Sequence, residues 1–273
     1  MAVAFGSAPL RAQARGAVTL RINPRVGDTL YTRFDQQVDM TGSTRLGNTD
    51  TTVVMHTSML LLSRVLVQEA DNGGTTVLTI TDSVALASRG GRDEDMPSPA
   101  AQLAMQGQRL RLRITPEGSA TILDTPDALA PDLQAVISQM PATLPDTPVR
   151  VGGSWSQVMA IPIPGELTEK DAATLHTTYH LDSLSRDGSI AYISMRGTLS
   201  RDSSAAPLPH GVKLTSTGSI TGNLRMDRQR GWWTRSTAII GVRSTLTPPA
   251  GRHAQPVHFE MTITQHMRAT DHP

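Results

Sequence analysis

From Val257 onward the chain alternates, with Val257, Phe259, Met261, Ile263 and Met267 on one parity and His258, Glu260, Thr262, Thr264, His266 and Arg268 on the other. A period of two places successive side chains on opposite faces of an extended chain, so this segment reads as a β-strand with one apolar and one wetted face. The same pattern runs through residues 51–68, 75–87, 175–183, 189–199, 212–226 and 234–246. Turn-formers such as Asp71-Asn72-Gly73-Gly74 and Arg186-Asp187-Gly188 separate these runs. Strands joined by short turns pair antiparallel. The expectation is a mainly β protein: a large curved antiparallel sheet or open half-barrel with one or two covering helices.

Composition agrees and narrows the function classes. Aromatic residues make up only 3% of the 273, while Thr, Ser and Val are plentiful, which suits a pleated, half-buried surface. The formal charge is +1, so no global field gathers nucleic acid or an anionic surface. With no cysteine, disulfides, thiolate metal sites, a cysteine nucleophile and a lipid-modified N-terminal cysteine are all excluded. No run approaches the ~20 apolar residues of a membrane-spanning helix. The opening MAVAFGSAPLRAQARG joins a short apolar stretch to Ala12-Gln13-Ala14, a small-x-small pattern of the kind signal peptidase accepts. Residues 1–14 are therefore expected to be the remnant of a secretory signal and the protein to be exported, periplasmic or extracellular, with a disordered tail as the alternative.

Two halves of the chain echo each other in order. The VGDTLY of 26–31 corresponds to VGGSWS at 151–156, and MHTS at 55–58 to LHTT at 175–178. DNGGTTVLTI at 71–80 then corresponds to RDGSIAYI at 186–193, and RLRITPEGSATIL at 111–123 to NLRMDRQRGWWTRS at 223–236. This predicts one β domain, 15–273, made of pseudo-repeats 26–123 and 151–236 joined by a helical segment 125–140. In that segment Thr125 can cap and Pro126 suits the first turn, while Leu129, Leu133, Val136, Ile137 and Met140 form an apolar stripe. A second short helix is expected at 98–106, with Gly107 as its stop.

The repeat also bears on DRQRGWWTRS at 227–236, which looks like a cationic clamp with aromatic plates. Its counterpart, Thr115-Pro116-Glu117-Gly118, is a plain turn, so Arg228 and Arg230 are expected to be solvated turn residues. Trp232 and Trp233 are adjacent on a strand and point to opposite faces. One is expected to pack inward and the other to cover an edge or rim.

No assembled catalytic motif is present, neither a nucleophile elbow nor a phosphate loop, dinucleotide fingerprint or zincin helix. His176 and His180 have a zinc-pair spacing for a helix, but on a strand they stand ~13 Å apart along one face. His253, His258, His266 and His272 lack a close ligand pattern and read as surface residues, and the acids of GRDEDMP at 91–97 as a solvated loop. No catalytic residue, metal site or cofactor is expected.

The segment Val151-Gly152-x-Ser154-Trp155, after a proline-rich exit from a helix, and the late Gly222-x-Leu224-x-Met226-Asp227…Gly231-Trp232 hairpin resemble uncharacterised exported bacterial proteins with a duplicated antiparallel sheet. The order of elements resembles the lipoprotein-localisation-factor superfamily, in which helices cover the concave apolar face of a half-barrel. That resemblance implies carriage of a lipid or acyl chain; this chain departs from it in lacking a lipidation cysteine and in its few aromatics. The functional expectation is a non-enzymatic cell-envelope protein binding an apolar small molecule or an envelope protein in the concavity. Leu129, Leu133, Val136, Ile137 and Met140 are its candidate ligand-binding residues, with no nucleic acid as partner. A hydrolase assembled from distant His, Asp and Ser residues, and a purely structural or adhesive module, are the alternatives.

Overall fold

The computed structural model of the chain describes residues 16–46, 49–90, 103, 105–124, 143–161, 173–201, 211–249 and 255–272. The alternating segments become strands, and four more join them, one long and three short. In chain order they are β1 (Thr29–Leu46), β2 (Thr49–Asp71), β3 (Gly74–Gly90), β4 (Arg109–Ile114), β5 (Ala120–Asp124), β6 (Ser154–Ile161), β7 (Ala173–Leu184), β8 (Ile190–Arg201), β9 (Lys213–Asp227), β10 (Trp232–Thr247) and β11 (Val257–Thr270). All eleven lie in one antiparallel sheet, ordered β5-β4-β3-β2-β1-β11-β10-β9-β8-β7-β6. The mainly β expectation therefore holds. The meander is interrupted once, where β1 zips against β11 from Tyr31↔Thr270 to Thr44↔Val257 and joins the two halves of the chain.

The two edge strands, β5 and β6, do not pair, so the sheet is open along their length. Their lower ends are nonetheless tied together. Backbone N–H groups of Thr143 and Leu144 donate to the Glu117 carbonyl in the β4–β5 turn, at 3.0 and 2.9 Å. Trp155 on β6 donates its indole N–H to the Thr143 carbonyl at 3.0 Å. The sheet thus curls until its edges meet through one short segment. Residues 18–28 cross the same end: Val18 exchanges backbone hydrogen bonds with Val149, and the N–H groups of Ile22 and Asn23 donate to the carbonyls of Pro116 and Gly231.

That end is where the core sits. Leu20 and Ile22, 1% and 3% exposed, pack with Leu144, Leu181, Ile193 and Met226 in one cluster, while Leu30, Val65, Val67 and Val77 form a second. Ile114 and Trp232 touch both, so the two are continuous. Burying apolar area at roughly 25 cal/mol per Å² gives this closed end its stability.

Several expectations change here. Trp232 and Trp233 both pack against the core cluster instead of dividing between core and rim, and the backbone of Asn23 crosses their turn at Gly231. Arg228 is half-buried instead of solvated, whereas Arg230 is exposed as expected, though paired. Arg228 donates from its guanidinium to the Gly188 carbonyl and from its backbone N–H to the Ser189 carbonyl, bridging two turns. Arg230 pairs with Asp271 and, at 3.7 Å, with Asp227. The hairpin itself is as expected, with Asp227 Oδ1 accepting from the Gln229 and Arg230 N–H groups and Gly231 at φ 61°. Of the short helix at 98–106, the described Leu103 and Met105 are helical and Gly107, at φ 77°, follows them. The segment 125–140, the acidic loop 91–97 and residues 1–14 lie outside the described residues. The paired echoes fall on β1 and β6, β2 and β7, the β2–β3 and β7–β8 turns, and β4–β5 and β9–β10. A plain meander gives any two such runs the same connectivity, so this agreement does not discriminate for duplication.

Candidate ligand-binding face

Residues directly opposite one another in a ladder share a face, so the registers sort the strand side chains into two sets. One row shows the first set. Gly90, Met55, Met40, Met261, Val242, Gly218, Leu199, Leu175 and Met159 follow one another across nine strands, β3 to β6 in sheet order. Val38, between Thr57 and Ile263, and Phe34, between Leu61 and Met267, continue this face toward the core. It is the face that carries both buried clusters. Among the described strand residues on it, Arg201 is the single charge, and it is buried, donating to the Leu214 carbonyl.

Burial is uneven along this face. At the closed end its residues are enclosed; further up, Phe34, Val38, Met40, Met59, Leu61, Met261 and Ile263 are only half-buried. Five glycines shape its relief: Gly42 lies under the Phe259 ring, and at Gly90, Gly197, Gly218 and Gly222 an added Cβ would meet a neighbouring strand's backbone within 2.5 Å. Trp155 stacks on Tyr179 with ring centroids 5.6 Å apart, and burial pushes the Tyr179 hydroxyl up to about 12. Chemically this is a surface for hydrocarbon. It offers flexible methionines that adapt to irregular shapes and no exposed charge to desolvate.

The opposite face carries the charges: Arg33, Asp35, Asp39, Arg235, Arg243, Glu260 and Arg268 lie on the three adjoining strands β1, β11 and β10. The same face also exposes Val54, Leu62, Val158, Tyr192 and Ile239, so it is mixed in character. Among the described residues no helix is long and apolar enough to cross a membrane.

Two histidine–carboxylate pairs lie on the polar face, His56 Nδ1 with Asp39 at 2.6 Å and His180 Nδ1 with Asp182 at 2.7 Å. Ser194 is beside the second, but its hydroxyl donates to Asp182 Oδ1 at 2.9 Å. A nucleophilic serine must give its proton to the imidazole, with the acid on the imidazole's far side. Asp182 instead accepts both bonds, so Ser194 is not activated. His176 and His180 do lie on one strand, β7, as the spacing predicts. His258, His266 and His272 are exposed, His253 lies outside the described residues, and among the described residues no three His, Asp or Glu converge on a metal position.

Of the candidate residues read from the sequence, Leu129, Leu133, Val136, Ile137 and Met140 lie outside the described residues. The C-terminal set Val257, Phe259, Met261, Ile263 and Met267 falls together on the apolar face, as its alternation requires. The contributions of β1 were missed, because Thr32, Gln36 and Gly42 break its apolar parity. Leu20 and Ile22 were missed too, although Val18, Leu20 and Ile22 alternate with Thr19, Arg21 and Asn23.

Fold and site together define an antiparallel β protein with an amphipathic, end-closed sheet. Residues 130–233 match the model of a family of unknown function (DUF6263). No curated protein matches the chain. Among solved structures it is similar to one described as the crystal structure of the COG4313 outer membrane channel from Pseudomonas putida F1. The identity is 9%, with 90% of this chain and 96% of that chain covered, at a TM-score of 0.26. A score that low carries no argument about fold or function, and none of these matches supports the likeness to the lipoprotein-localisation superfamily.

Proposed function

We propose that this is a non-enzymatic, exported cell-envelope protein that holds an acyl chain or lipid against the apolar face of its sheet. The observation carrying the reading is that face itself: apolar, continuous across the sheet, closed at one end and only half-buried above it. A hydrocarbon chain laid there gains about 0.8 kcal/mol for each methylene taken from water. Leu129, Leu133, Val136, Ile137 and Met140 are the proposed further contacts of the ligand. Native mass spectrometry of protein from its host, with displacement of a fluorescent fatty acid, tests the reading. Met261→Glu, on the half-buried part of the face, is expected to abolish probe binding, and Leu133→Glu to weaken it. A parent protein that carries no lipid and binds no probe overturns the proposal.

A further inference from the structure

The polar face holds one row unlike its neighbours. Arg33 on β1 stands opposite Arg268 on β11, Arg268 opposite Arg235 on β10, and Arg235 opposite Arg225 on β9. Four guanidinium-bearing residues on four adjacent strands span about 14 Å at the usual strand spacing. Like charges directly opposite destabilise a sheet. Two rows of the same face show the ordinary solution: Arg243 is opposite and paired with Glu260 at 2.9 Å, and Asp35 faces His266. In the arginine row the carboxylate in contact, among the described residues, is Asp35, held by Arg33 at 2.9 Å. Arg225 lies 5.8 Å from the Tyr192 ring centroid, and its buried Nε has no hydrogen-bond partner.

A cavity of about 630 Å³ opens at the Arg33–Arg268 end of this row, its wall including Arg33, Arg64, Arg268, Tyr31, Leu62 and Asp82. Asp82 is engaged by Arg64 at 2.8 Å and Asp35 by Arg33 at 2.9 Å, so Arg268 leaves the cavity floor with a net positive charge. Guanidinium forks match phosphoryl oxygens in pairs, and an arginine keeps its charge at any working pH.

We propose that the row and the adjoining cavity bind a discrete ligand bearing two or more phosphoryl groups, one between Arg33 and Arg268 and the next toward Arg235 and Arg225. The half-open concavity, with Tyr31 and Leu62 as an apolar shoulder, favours a discrete molecule over a flat headgroup layer. This site is on the opposite face from the proposed hydrocarbon surface and stands or falls separately. Isothermal titration of the full chain with inorganic tripolyphosphate tests it. Binding is expected to weaken with added salt, and R235Q with R268Q is expected to raise Kd at least tenfold, while R243Q on the same face leaves it unchanged. Removing two mutually repelling charges should keep the melting temperature at or above the parent's, which residues placed for stability would not do. If the double variant melts lower, R235Q and R268Q singly must each lose binding at unchanged melting; failure of that overturns the proposal. It is also overturned if the parent does not bind tripolyphosphate, if the variants bind as the parent does, or if the protein sediments with phosphatidylglycerol vesicles but takes up no tripolyphosphate.

Discussion

Met226 shows what a single side chain does in this fold. It is 0% exposed, it closes β9 beneath the β9–β10 turn, and it touches the cluster that residues 18–28 complete. Met226→Ala leaves a cavity that the surrounding turns cannot fill, and the expected loss is about 2–5 kcal/mol in chemical denaturation. Asp187 works differently, by organising a turn. Its carboxylate accepts from the Ser185 hydroxyl at 2.5 Å and the Ser189 hydroxyl at 2.9 Å, as well as from the Ser189 N–H, and these bonds pull it from 3.8 down to about 2. A carboxylate depressed in the folded state stabilises above its unfolded value and loses that contribution as pH falls through the folded one. The acid limb of stability between pH 3.8 and about 2 should therefore be shallower in Asp187→Asn, read from melting temperature against pH. The type of turn at Arg186-Asp187-Gly188 was readable from its residues. That Arg228 would reach across to the Gly188 carbonyl was not, because it depends on which turns the sheet lays side by side.

At the scale of elements, local pattern and long-range pairing part company. The alternating segments 175–183 and 212–226 became β7 (Ala173–Leu184) and β9 (Lys213–Asp227), within a few residues at each end. β7, with Ala173, Leu175, Tyr179 and Leu181 on its inward parity, announces itself; β1, with Thr32, Gln36 and Gly42 pointing inward, does not. The arginine row was hidden for another reason: its members lie far apart in sequence, and only the β1–β11 and β9–β10–β11 registers bring them into line. Elements are also held by single backbone contacts. Gly231 sits at φ 61°, and an added Cβ would lie 2.6 Å from the Asn23 backbone. Gly231→Ala combines left-handed strain of roughly 1–3 kcal/mol with that clash. The expected result is a lowered denaturation midpoint together with faster hydrogen exchange at the Asn23 amide, which donates to the Gly231 carbonyl. Trp155→Phe is milder. It keeps a ring on Tyr179 but removes the indole bond to Thr143, and should lose about 1 kcal/mol.

At the scale of the whole molecule, the fold is a sheet closed at one end by a segment that belongs to no strand. Periodicity reports each strand's two faces but not where the chain's ends meet, so the β1–β11 seam and the crossing of residues 18–28 had no local signature beyond the alternation of Val18, Leu20 and Ile22. Those residues give the last prediction. Residues before Gly16 carry no strand pattern, and the described ties of the closed end come from Val18 to Asp28. A chain starting at Gly16 should therefore melt as the full chain does, in one cooperative transition. A chain starting at Val26 removes Leu20 and Ile22, each almost wholly enclosed, and cuts the backbone ties to Val149, Pro116 and Gly231 that hold three separate parts of the sheet together. Burying two such side chains is worth roughly 3–6 kcal/mol, a large share of the stability of a domain this size. The shorter chain should accordingly lose its sharp transition and bind a hydrophobic dye. Equal melting of the two truncated chains would show instead that the sheet closes on its own and that residues 18–28 merely lie across it.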